Sequence, residues 1–91
     1  MRLEWDARKA AANLRKHGVS FVEASSVLLD PLSATGDEPD HSINERRFVT
    51  FGVSSAGRLL VVAHVEQQDD ATRIISARSA TRAERKLYEE G

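Results

Sequence analysis

His64 and Glu66 stand two residues apart in a segment dense in β-branched residues. In a strand, that spacing turns both side chains to one face. An imidazole beside a carboxylate has the makings of a general acid/base pair. A strand end where polarity returns at the sheet rim is the favoured reading of His64, which therefore stays outside the candidate site. Arg73 and Arg78 flank Ile74-Ile75. Their separation is odd, so a regular strand sends them to opposite faces, and only one can share a face with Glu66. The plain alternative for each is a cross-strand ion pair or a solvated strand end. Lys16 and His17 close a helical stretch. Cations there offset the helix dipole by about 0.3–1 kcal/mol each, and they are also held where a phosphate can meet them. Arg82, Arg85 and Lys86 form a basic stripe near the end of the sequence, where Arg85 and Glu89 also suit a solvated i,i+4 pair. His17, His41 and His64 fall in different segments, and their spacing specifies no metal site. A Gly-rich phosphate loop, a nucleophile elbow and a paired-His helix are absent from the sequence.

These groups need a scaffold, and 91 residues provide one domain. Hydrophobic residues at 41% and charged residues at 30% fit a folded globular domain. No cysteine is present, so disulfides and thiolate metal sites are excluded. No apolar run reaches the roughly 18 residues of a membrane span, and a cytoplasmic protein is the expectation. The net charge of −1 hides an asymmetry. Residues 1–45 carry five basic and eight acidic side chains, a net of −3, and residues 46–91 carry eight and six, a net of +2. Ten of the thirteen basic residues are Arg, whose planar fork matches phosphate in a way Lys does not.

The elements follow from periodicity. Residues 2–5 suit an edge strand. Ala7, Ala10, Ala11 and Leu14 make a helical stripe, with Asp6 as N-cap and Gly18 as the left-handed stop. Ser20 and Glu23 form a capping box for a second helix lined by Phe21, Ala24, Val27 and Leu28 and halted by Asp30-Pro31. Residues 30–45 hold five acids and no base and read as a surface loop with a short strand near 32–36. Residues 46–53, 58–66 and 72–78 predict an antiparallel meander. Thr81 and Glu84 predict a second capping box and a short last helix to about Glu89. The fold class is therefore α+β, with an antiparallel sheet of four to five strands, two N-terminal helices and a short C-terminal helix.

Several segments together resemble the BrnT family of toxins. They are Leu3-Glu4-Trp5-Asp6, the stretch from Asn13 to the Lys16-His17-Gly18 end, Val19-Ser20-Phe21 with Glu23-Ala24, and Leu29-Asp30-Pro31. Arg58-Leu59-Leu60-Val61-Val62 and Arg73-Ile74-Ile75-Ser76-Ala77-Arg78, followed by Thr81 and Glu84-Arg85, complete the set. The resemblance implies a RelE-like fold over a single domain of residues 1–91. It also implies a metal-independent endoribonuclease without cofactor that inhibits translation and growth. The implied partner is a BrnA-type antitoxin with a ribbon-helix-helix segment, and the complex would bind operator DNA. On the matched motifs, Arg78, Lys16 and His17 join Glu66, the strand carboxylate read above, as the candidate catalytic set. Arg73, Arg78, Arg82 and Arg85 become candidate contacts to RNA phosphate. The residues alone leave open a non-catalytic module that binds nucleic acid or a partner as a co-repressor scaffold.

Overall fold

The computed structural model of the chain describes residues 1–38 and 46–91. His41 and most of the acidic residues of the 30–45 segment's second half lie outside the described residues. The elements run β1 (Arg2–Glu4), α1 (Ala7–His17), α2 (Phe21–Leu28), β2 (Ala34–Asp37), β3 (Arg47–Val53), β4 (Leu59–Gln67), β5 (Ala71–Ser79) and α3 (Arg82–Glu90). The strands form one sheet in the order β1-β5-β4-β3-β2. The predicted α+β class and element order are observed. The meander is antiparallel, but β1 joins β5 in parallel, so the sheet is mixed. No hairpin joins β1 to β5, so nothing forces that pair to be antiparallel, and α1 and α2 carry the chain from β1 to β2 at the opposite edge.

The helices form where local chemistry asks for them. The Asp6 side chain accepts from the Arg8 and Lys9 N–H groups, and Gly18 ends α1 at φ 69°, a conformation that costs glycine little. Thr81 and Glu84 make the predicted capping box on α3. At α2 only half of the expected box exists. The Ser20 hydroxyl accepts from the Glu23 N–H, but the Glu23 carboxylate turns away to pair with both Nε and Nη2 of Arg58, the former at 2.9 Å, and to accept from the Ser54 hydroxyl at 2.7 Å. A charged fork offers a stronger bond than one backbone N–H. That choice ties α2 to the β3–β4 turn.

One face of the sheet is covered by α1 and α2. Its core is Val19, Phe21, Ala24 and Val27 from the helix layer on Leu60, Val62, Ile74 and Ala77 from β4 and β5. Trp5 meets Phe21 edge to face at 6.1 Å. Gly52 lets α2 lie close, because a Cβ there would sit 3.0 Å from the side chains of Val27 and Ser33. The predicted stripe on α1 is corrected. Leu14 is 51% exposed, and the residue α1 buries is Asn13. Among the described residues, the other face of the sheet, the outer face, carries no helix layer. Of them, only α3 lies along it, and α3 buries none of its residues.

Candidate functional site

The outer face holds a groove of about 370 Å³ whose polar walls are Arg78 and Ser76 on β5, Glu84 on α3 and Glu38 after β2. Val61 and Ala63 of β4 form its floor. Arg78 donates to both carboxylate oxygens of Glu84, at 2.8 and 2.9 Å. The Arg78 guanidinium holds the Glu84 carboxyl down at about 2, and the carboxylate in turn raises the Arg78 pKa. Glu84 also accepts from the Thr81 N–H at 2.9 Å, so the capping box fixes the carboxylate that fixes Arg78. A side-chain exposure of 41% leaves the guanidinium open to the groove.

The expectation that Arg73 and Arg78 face opposite ways is corrected. Pairing runs Val61↔Arg78, Ala63↔Ser76, then His64↔Ile74 and Val65↔Arg73. Ile75 is the extra residue of a β-bulge, so the odd spacing becomes even and both arginines lie on the outer face. Arg73 sits at the sheet's β1 side, 3.7 Å from Glu4, with 42% of its side chain exposed.

Glu66 is the clear displacement from the expected set. It pairs with Thr72, and β4 alternation puts it on the helix side of the sheet, across from Arg78. Its carboxylate accepts from the Thr72 hydroxyl at 3.0 Å and lies 3.4 Å from His64 Nδ1. Glu66 therefore does not line the Arg78 groove. The pair of His64 and Glu66 does share a face, as their spacing requires. His64 is buried, shares a 2.7 Å hydrogen bond with the Thr50 hydroxyl through Nε2, and stacks on Phe48. Thr50 in turn bonds Thr35 at 2.7 Å, so this polar chain stitches β2, β3 and β4 together.

Burial pushes the His64 imidazole below its usual 6.5, opposed by Glu66. A folded state that binds this proton less readily than the unfolded chain keeps its full stability above pH 6.5 and loses it as pH falls below that value. We expect Tm to drop between pH 7.5 and 5.5, and the drop to shrink in His64→Gln. Parallel curves for the two proteins would assign the loss to other groups.

Lys16 and His17 end α1 beside β5. They line a second concavity of about 250 Å³ with Lys9, Asn13, Ile75 and Ser76. Ser76 borders both concavities, so the cations of the α1 end adjoin the Arg78 groove across a single residue of β5. Arg82 and Arg85 are exposed on α3, where Arg85 reaches Glu89 at 3.6 Å. Helical geometry turns them about 160° and about 100° from Glu84, which places them at the rim and not in the groove. Sequence reasoning missed Glu84 and Glu38 as groove carboxylates and Asn13 as a polar anchor. Thr81 and Glu84 signal a helix cap and a family motif, and neither signal connects Glu84 to Arg78.

Among the described residues, no group of three or more metal-ligating side chains gathers, and no helix is long and apolar enough to cross a membrane. Comparison with curated proteins returns no match. Among solved structures, the chain is similar to the ribonuclease toxin BrnT of Brucella abortus. The TM-score is 0.66 and the identity 24%, over 90% of this chain and 99% of that one. At this identity the likeness speaks for the fold. The sequence itself matches a family described as "Ribonuclease toxin, BrnT, of type II toxin-antitoxin system" over residues 5–84. With nearly the whole fold inside that match, the chain belongs to the BrnT family of ribonuclease toxins of type II toxin–antitoxin systems.

Proposed function

We propose that this protein is a cytoplasmic endoribonuclease that cleaves RNA without a metal ion and so arrests translation and growth. The observation that carries the reading is the shared wall at Ser76. It joins a groove containing Arg78 to the Lys16 and His17 end of α1. RNA cleavage of this kind makes the ribose 2′-oxygen attack the adjacent phosphorus while the bond to the 5′-oxygen breaks, leaving a cyclic phosphate and a 5′-hydroxyl. Negative charge builds on the phosphate oxygens. Arg78 is suited to meet it with its fork, and Lys16 adds a point charge. His17 is the candidate for proton transfer, a task worth about 10²–10⁴ in rate for a well-placed group. Arg73 extends the cationic track on the same face, and Arg82 and Arg85 are suited to hold RNA at the rim.

Control comes from a partner. A BrnA-type antitoxin with a ribbon-helix-helix segment would cover the outer face and bind operator DNA as part of the complex. An acidic segment suits the arginines there.

Expression of the wild type is expected to stop growth, and the purified protein to cut RNA equally well with and without EDTA. Absence of both effects would overturn the enzyme reading, and loss of cutting in EDTA would overturn metal independence. The occupied fork of Arg78 favours a second reading, a non-catalytic co-repressor scaffold. It predicts RNA binding that weakens with salt and yields no product on long incubation.

A further inference from the structure

We infer that Asn13 is a positioning residue that holds Arg78 in the groove by replacing, with one side chain, the neighbouring strand that β5 lacks. β1 pairs with β5 over Ala71 to Arg73 and goes no further. Beyond that point, among the described residues, α1 lies beside β5 in place of a strand. The Ala77 N–H donates to Asn13 Oδ1 at 3.1 Å, and Asn13 Nδ2 donates to the Ala77 carbonyl at 2.8 Å. Both backbone groups of Ala77 therefore point away from β4. An Asn amide presents one carbonyl and one N–H in nearly the arrangement of a peptide, so it can exchange two bonds as an adjacent strand would. A third bond, from Nδ2 to the Val19 carbonyl at 2.9 Å, anchors the amide to the α1–α2 junction.

The position of this clamp matters. The Ile75 bulge disrupts the ladder two residues before Ala77, and a bulge leaves its strand locally short of partners. Arg78 follows Ala77 directly. Without a partner on the α1 side, the segment between the bulge and Arg78 is held only through β4. Asn13 is 7% exposed, and an apolar residue in its place would strand three buried backbone groups, the Ala77 N–H and the carbonyls of Ala77 and Val19. That accounts for a buried polar residue on a helix otherwise patterned with alanine. Ser76, the wall shared by both concavities, lies within the clamped stretch.

What Arg78 does for RNA rests on the ribonuclease reading, but its placement by Asn13 can be tested without RNA. Glu84 reports on Arg78. An NMR titration of the wild type is expected to find the Glu84 carboxyl at about 2, and Asn13→Ala to raise it toward the ordinary 4.5. Asn13→Ala combined with Arg78→Ala is expected to add little to the shift of Arg78→Ala alone. A folded Asn13→Ala whose Glu84 stays at about 2 would overturn the inference, because a residue that only stabilises the fold leaves that titration in place. Should Asn13→Ala fail to fold, amide hydrogen exchange in the wild type decides. The Ala77 N–H is expected to exchange about 10²-fold or more slower than an open strand edge, and rapid exchange there would overturn the clamp. In RNA cleavage, Asn13→Ala is expected to fall to the level of Arg78→Ala. A wild type that neither binds nor cuts RNA would remove the ribonuclease reading, while Glu84 and Ala77 would still decide the role of Asn13.

Discussion

Replacing Arg78 by Ala is expected to lower the rate of RNA cleavage by about 10²–10³-fold and to relieve growth arrest. That is the usual cost of removing one well-placed group that stabilises developing charge, roughly 3–4 kcal/mol of barrier. Arg78→Lys should recover only part of the rate, because an ammonium keeps the charge and loses the fork. Folding is not expected to suffer much. The Arg78 and Glu84 side chains are 41% and 26% exposed, and ion pairs this open contribute about 1 kcal/mol or less. The decisive comparison is between single-turnover cleavage and thermal melting of the same preparations. A variant that melts like the wild type and cuts like the wild type would remove Arg78 from the chemistry and point to Lys16 and His17 alone.

The largest effect on stability is expected from Phe21→Ala. Phe21 is 1% exposed, packs with Val27, Leu60, Val62 and Ile74 in the core between helices and sheet, and meets Trp5 edge to face. Truncating a buried Phe costs about 3–5 kcal/mol, part of it from the cavity left behind. A domain of this length has roughly 5–13 kcal/mol in total, so the substitution should remove about a quarter of it or more. Urea unfolding is the measurement, with the midpoint expected to fall sharply at an unchanged slope. Phe21→Leu keeps most of the volume and should lose much less. A loss below about 1 kcal/mol for Phe21→Ala would mean that the helix layer closes over the gap.

The elements of the fold were legible because their causes are local. Asp6, Gly18, Ser20 and Thr81 act on residues two to four positions away, and the β-branched runs at 46–53, 58–66 and 72–78 announce strands without knowing their partners. Arg78, Lys16 and His17 were legible as candidates for a similar reason, since their motifs and helix-end position are continuous in the chain. The resemblance carried by those segments and the family match over residues 5–84 agree.

What the local patterns missed depends on partners distant in sequence. Glu23 was expected to cap its own helix and is drawn to Arg58, 35 residues away. Leu14 was expected inside, and Asn13 is there instead, because its value lies in bonds to Ala77, 64 residues away. Spacing puts Glu66 in one set with Arg78, although the two lie on opposite faces of the sheet, because no spacing within one strand reveals its register against the next. The spacing of Arg73 and Arg78 is the sharpest case. Counting residues sends them to opposite faces, and one bulged residue, Ile75, returns them to the same one. Periodicity along the chain thus specifies which elements form and which side chains are available. Register, bulges and long-range pairing choose the face each side chain reaches, because those are set by hydrogen bonds between segments and not within them.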